Sequence, residues 1–179
     1  MLATAGGAVP WLRRVSVLAV RSGSGPGGVP VNRTAAAAGV GEQAAGAAYR
    51  LTLRHGDTVR SLTRADLEAL PQVTVDLPIA CVEGWSATGT WTGVRVRDLM
   101  ALVDAPGRLP VRVTSLQTRG AWSATTLPGA FADDPLTLLA LALDGEPLSP
   151  DHGYPARLIA PNRPGVLQTK WVTTLETLT

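Results

Sequence analysis

The sequence predicts an α+β domain built from mixed β-sheets with short helices, and three observations carry that expectation. Short stretches of alternating apolar and polar residues recur along most of the chain, as at Tyr49 to Leu53, Val73 to Leu77 and Trp171 to Leu178. Helical spacing is confined to short segments near Leu67 and Leu99. Strands and helices do not alternate with the βαβ rhythm of a doubly wound sheet.

Length and composition narrow the range of functions. A chain of 179 residues can bury a core without staples, and one globular unit with a tail is the expectation. The formal charge is +2, from 16 Lys+Arg against 14 Asp+Glu, and Lys170 is the single lysine. The arginines are scattered along the chain, which argues against nucleic acid and leaves anionic small ligands open. The single cysteine, Cys81, rules out an intrachain disulfide and supplies too few ligands for a structural zinc site. No stretch approaches the roughly 20 apolar residues of a spanning helix.

Residues 1–46 are rich in Ala, Gly, Pro and Ser, and read as an extended N-terminal arm ahead of a domain over 47–179. Val29 to Thr34 carries more donors than a spacer needs, although from the residues alone a linker is the favoured reading. Tyr49 to Leu62 reads as a hairpin turning at His55-Gly56-Asp57. Thr63 and Asp66 form a capping box for a short helix that Pro71 stops. A strand follows from Val73, and Pro78 leads into the strand that carries Cys81. The next stretch, Gly84 to Gly93, reads as a loop. Val96 to Val103 is helical, Val111 and Val113 open a strand, and Gln117 to Ser123 is a polar loop containing Trp122. Leu136 to Leu143 is a buried strand or a buried short helix. Asp144 to Pro147 turns the chain, and strands at Arg157 to Ala160 and Trp171 to Leu178 complete it.

The residues alone leave the chemistry open. Cys81 is a buried inert thiol or a ligand. A Cys81–His152 pair is a conceivable thiol nucleophile and base, but no nucleophile signature such as G-x-S-x-G accompanies it, and phosphate-loop, dinucleotide and H-E-x-x-H motifs are missing. A denser constellation lies in the last third. It runs through His152-Gly153-Tyr154-Pro155-Ala156-Arg157, Asn162-Arg163-Pro164-Gly165 and Gln168-Thr169-Lys170-Trp171. Its cationic donors and glycine amides suit an anion, or equally a set of solvated surface loops. Trp85, Trp91 and Trp171 read as core aromatics or as ligand platforms.

Two blocks then carry a resemblance. Cys81-Val82-Glu83-Gly84-Trp85-Ser86, continuing through Trp91-Thr92-Gly93-Val94, resembles the molybdenum-ligating cysteine region of the sulfite oxidase family of molybdopterin enzymes. Leu143 to Leu148, His152 to Leu158 and Lys170-Trp171 resemble that family's pterin-holding segment, in the same order. The likeness is greatest to the bacterial branch that includes the catalytic subunit of periplasmic methionine-sulfoxide reductase. It implies a sulfite-oxidase-type molybdopterin-binding fold, Mo-molybdopterin as cofactor and oxygen-atom-transfer chemistry on a small or protein-borne S- or N-oxide. Carried over residue by residue, Cys81 is the metal ligand. His152, Arg157, Gln168, Thr169 and Lys170 contact the cofactor, joined from the arm by Asn32 and Arg33. Where relatives hold a tyrosine close to the metal, Trp122 is the nearest candidate, without a hydroxyl.

The departures shape the remaining expectations. Glu83, Trp85 and Ser86 stand where the sulfite-oxidising members carry arginines, so sulfite is not the expected substrate. No haem, flavin or iron–sulfur signature is present, so electrons are expected to come from or pass to an external partner, with a membrane-bound redox protein as the candidate. The resemblance also implies an upstream membrane segment and an extracytoplasmic location in the full-length form. The competing expectation is a non-catalytic relative that keeps the scaffold and binds a partner or a small anion.

Overall fold

A computed structural model describes residues 28–41, 48–80, 84, 86–119 and 122–178. Cys81 and Trp85, which the sequence singled out, lie outside the described residues.

Two sheets form the body. In the first, β1 (Leu51–His55) and β2 (Thr58–Leu62) make the expected hairpin, with Leu51 opposite Leu62 and His55 opposite Thr58. Strand β1 pairs in parallel with β10 (Val172–Thr177), the last strand of the chain, which runs antiparallel to β5 (Val111–Ser115). Strand β6 (Ala124–Leu127) closes the edge, giving the order β2-β1-β10-β5-β6. The second sheet holds β3 (Val73–Ala80), β4 (Ser86–Arg95), β7 (Leu138–Leu143) and β8 (Glu146–Pro147) in that order, with β9 (Arg157–Ile159) also paired to β7.

The largest core lies between these sheets and takes alternate residues from both: Leu51, Leu53, Val113 and Leu175 from the first, Val94, Leu139, Leu141 and Leu158 from the second. A second core gathers Leu77, Ile79, Trp91, Leu143 and Ile159 with Val29 of the arm. Burial at about 25 cal/mol per Å² of apolar surface supplies the main drive for this packing.

Helices are short and peripheral. Helix α1 (Ala35–Ala38) is capped by Thr34, whose hydroxyl accepts from the Ala37 amide. In α2 (Arg64–Ala69) the capping box is present in full: Asp66 N donates to Thr63 Oγ1, and Thr63 N donates to Asp66 Oδ2. Helix α3 (Val96–Ala101) buries Val96, Leu99 and Met100 on the predicted face. Helix α4 (Gly129–Ala132) follows Pro128.

The sequence reading needs two corrections here, and one open alternative closes. Gly84 to Gly93 was expected to be a loop, but Ser86–Arg95 is a ten-residue strand whose partner β3 pairs with it from Val73 through Ala80. Its threonines and small residues hid it, because one face carries Ser86, Thr88, Thr90 and Thr92 while the other buries Gly89, Trp91 and Gly93. Pro78 begins no new strand, since β3 runs unbroken through it on the sheet edge. Of Leu136 to Leu143, read as strand or helix, Leu138–Leu143 is the strand β7.

Candidate functional site

The site assembles where the arm, the 150–157 turn and the 163–171 segment meet. The described part of the arm, residues 28–41, is seated by hydrogen bonds. Ala38 O accepts from the amides of Thr118 and Arg119 at 3.1 and 3.2 Å, and Arg33 Nη2 donates to Arg119 O at 2.8 Å. Ala35 N donates to Asp151 Oδ1 at 2.8 Å, and Ala38 and Val40 pack on Trp171.

Ser149 caps a 3₁₀ turn at Pro150–His152 that aims the His152 ring at the arm. His152 is buried. Its Nε2 donates to Val29 O at 2.8 Å, while Nδ1 lies 3.0 Å from Ser149 Oγ and accepts the hydroxyl proton. A carbonyl can only accept, so Nε2 carries a proton, and burial, which disfavours the charged ring, leaves Nδ1 as the acceptor. Desolvation lowers the His152 pKa, with Arg157 and Lys170 adding to the effect. His152 is thus committed to the arm, and the positive charge of the site resides on neighbouring side chains. Gly153 follows at φ 114, where a Cβ would meet the Lys170 and Arg157 side chains at 3.1 and 3.2 Å. The absence of a side chain lets these two cationic stems flank the turn.

The third segment begins beside β3. Ala80, the residue before Cys81, makes an isolated bridge to Pro164, and a Cβ on Gly165 would stand 3.1 Å from Ala80 O. The last residue of β3, which precedes Cys81 in the sequence, is therefore anchored on the turn that leads into Gln168, Thr169 and Lys170. Those three are buried. Gln168 Nε2 donates to Arg163 O at 3.0 Å, and the Thr169 and Thr125 hydroxyls bond at 2.8 Å. Lys170 Nζ donates to Arg33 O at 2.9 Å and Asp151 O at 2.6 Å. Trp171 then takes φ 55, unusual for an aromatic residue, with its indole donating to Pro150 O at 2.7 Å. That bend separates the site segment from β10.

These elements surround an open cleft lined by Asn32, Arg33, Gln117, Trp122, Gly165, Val166, Gln168, Thr169, Lys170 and Trp171. Six of the residues nominated from the sequence meet there: Asn32, Arg33, Trp122, Gln168, Thr169 and Lys170. Trp122 is 49% exposed at its rim. Arg157 and His152 lie behind it. Gln117, Asp151 and Ser115 were not nominated, whereas Arg163 belongs to the cationic constellation read from the sequence. Ser115 Oγ donates to Lys170 O at 2.7 Å and receives the Gln117 amide at 3.1 Å, tying β5 to the site. Nothing in the sequence distinguishes these polar residues from surface ones, since their burial follows from tertiary pairing.

The chemistry of the donor set fits an anionic cofactor with many hydrogen-bonding groups. The Arg157 guanidinium lies 5.3 Å over the Trp91 ring, donates to His152 O at 3.2 Å, and leaves Nε buried without a partner. Desolvation lowers its pKa to about 10. Arg163 repeats the pattern over Phe131, with a bond to Thr126 O and a partnerless Nε. Neither pairs with a carboxylate among the described residues. A buried cation without a counter-ion costs several kcal/mol, and a bound anion offsets that cost. Gln117 Nε2 and Gln168 Oε1 are also buried without partners. Each such group costs about 1–3 kcal/mol until a ligand satisfies it.

Fold and cleft together define a two-sheet domain whose cleft and its surroundings carry buried cations and partnerless amides suited to an anionic, hydrogen-bonding ligand. The chain belongs to the family described as oxidoreductase molybdopterin binding domain, which it matches over residues 37–179. It is a molybdopterin-dependent oxidoreductase domain of the sulfite oxidase type, as the resemblance implied. A chain of Azospira oryzae named as a protein-methionine-sulfoxide reductase subunit, YedZ1, is 34% identical over 113 residues, covering 63% of this chain and 42% of its own length. The mitochondrial sulfite oxidase of Drosophila melanogaster is 29% identical over 150 residues, covering 70% of this chain and 26% of its own. The chain thus spans less than half the length of these relatives. The crystal structure of the sulfane dehydrogenase SoxCD from Paracoccus pantotrophus shares the fold, with a TM-score of 0.65 at 24% identity over 73% of this chain and 38% of that one.

Proposed function

We propose that this domain carries out two-electron oxygen-atom transfer on a small or protein-borne S- or N-oxide at a mononuclear molybdenum site. The observation that carries the reading is the convergence of Asn32, Arg33, Gln168, Thr169 and Lys170, drawn from both ends of the chain, on a cleft beside Ala80. When bound, the molybdenum cofactor supplies the oxygen-accepting and oxygen-donating couple. Cys81 is the thiolate ligand, a soft donor suited to that metal. Arg157 neutralises anionic charge from behind the cleft, and Lys170 does so from within it. Gln168 and Thr169 orient the pterin, and Asn32 and Arg33 close over it. His152 acts through Val29 by holding the arm in place.

At the cleft mouth, Trp122 offers an apolar face to the carbon groups of a sulfoxide or thioether. The name of the Azospira relative supports methionine sulfoxide as the substrate class, and sulfite oxidase is the alternative name among relatives. The partner is an external electron carrier, with a membrane-bound redox protein on the extracytoplasmic side as the candidate. No helix among the described residues is long and apolar enough to cross a membrane.

Turnover of the cofactor-loaded domain with reduced artificial carriers and a panel of methyl sulfoxides, N-oxides and sulfite tests the reading. Reduction of an S- or N-oxide is expected, with Trp122→Ala raising KM more than it lowers kcat. Loaded protein with no turnover on any of them favours the second reading, a non-catalytic relative, which the exposed, hydroxyl-free Trp122 motivates.

A further inference from the structure

Two buried, partnerless amide atoms on residues that line the cleft have complementary characters. Gln117 is 8% exposed and Gln168 2% exposed, and both line the cleft. Gln117 leaves Nε2, a donor, without a partner; Gln168 leaves Oε1, an acceptor. The orientation of the Gln168 amide is set by its own bond, because Nε2 is engaged with Arg163 O and Oε1 must then be the bare end. The backbones that carry them are tied together. Ser115 Oγ accepts from Gln117 N and donates to Lys170 O, two residues beyond Gln168. A buried donor and a buried acceptor, mounted on linked segments, suit a ligand edge that presents an acceptor and a donor side by side.

We propose that Gln117 and Gln168 act as a pair that reads the aminopyrimidinone edge of the pterin, Gln117 donating to a ring oxygen or nitrogen and Gln168 accepting from a ring N–H or amine. This rests on the cofactor reading above and adds Gln117 as a specificity-determining residue. In the structure neighbouring atoms cover both orphan atoms, so engagement requires rotation about the terminal side-chain torsions, which are broad and inexpensive to turn. The pair also discriminates: a ligand lacking the donor–acceptor edge leaves both amides unsatisfied, whereas the pterin satisfies both at once.

The test measures pterin retained per chain, by fluorescence of the oxidised pterin released on denaturation, together with the Tm difference between cofactor-loaded and cofactor-free protein. It compares the unaltered chain, Gln117→Met, Gln117→Glu and Gln168→Met. Gln117→Met removes the orphan donor at similar volume, so the cofactor-free Tm is expected to hold or rise. Pterin retention is expected to weaken about 2- to 10-fold, the range one neutral hydrogen bond carries, and the Tm difference to shrink. Gln117→Glu replaces the donor with a negative acceptor and is expected to weaken retention further. Gln168→Met reports on the acceptor half should either Gln117 variant fold poorly. Equal pterin content and equal Tm differences in all chains, with the unaltered chain loaded, overturn the pairing and leave the cofactor reading standing. An unaltered, folded chain that retains no pterin overturns both.

Discussion

The His152 imidazole donates from Nε2 to the Val29 carbonyl at 2.8 Å, joining the 3₁₀ turn near the end of the sequence to the start of the described arm. The bond is buried, and Val29 belongs to the same apolar cluster as Ile79 and Trp91. His152→Ala is expected to leave the Val29 carbonyl unsatisfied and to cost about 1–3 kcal/mol. The loss should be local. Hydrogen exchange at Ala38, Gly39 and Val40 is expected to accelerate while β1 and β10 keep their protection. Unchanged exchange in the arm contradicts the anchoring role.

Acid should weaken the same anchor. Burial lowers the folded-state pKa of His152 below 6.5, against the opposing effects of the Val29 bond and Asp151. Above that value both folded and unfolded states are neutral, and the contribution is constant. As pH falls below about 6.5 the unfolded chain takes up the proton first, so stability is lost until the folded-state value is passed. Urea midpoints at pH 7.5 and 5.5 are expected to differ more for the unaltered chain than for His152→Gln. Identical differences contradict the assignment.

Gly165 offers a test of how the end of β3, just before Cys81 in the sequence, is held. An added Cβ would meet Ile79 Cγ2 at 3.0 Å and Ala80 O at 3.1 Å, close enough to push the strand end without breaking the sheet. Gly165→Ala is expected to cost about 1–2 kcal/mol in stability. It should lower molybdenum content disproportionately, because the displaced residue precedes the ligand. Gly165→Val should do both more strongly. Parallel losses of the two quantities would argue for a purely structural role.

Arg157 separates charge from packing. Arg157→Met forfeits the contact over Trp91 and the bond to His152 O but removes a desolvated cation, so cofactor-free stability is expected to change by no more than about 1 kcal/mol. Pterin retention should fall sharply. A large loss of cofactor-free stability with retention intact contradicts the account of Arg157 as an anion-binding group.

Much of this was legible in the sequence for physical reasons. The hairpin at Tyr49 to Leu62 and the α2 capping box are local, and their residues specify them without help from the rest of the chain. Strand β4 was hidden because its threonines and glycines read as turn chemistry until β3 and β7 flank them. Six cleft residues were nominated because the resemblance fixes their order along the chain. Gln117 was not, since the signal that marks it, a partnerless buried amide, exists only after folding; Arg163 was legible as a cationic donor, but its lack of a carboxylate partner among the described residues emerges only in the folded chain. The role of His152 could not be read either, because it depends on a contact with Val29 far away in sequence.

Metal content tests the central claim most directly. Purified from a host that makes molybdopterin, the folded chain is expected to carry about one molybdenum per chain, and Cys81→Ser about none, with circular dichroism unchanged. Molybdenum retained in full by Cys81→Ser, or missing from the folded unaltered chain, contradicts the account.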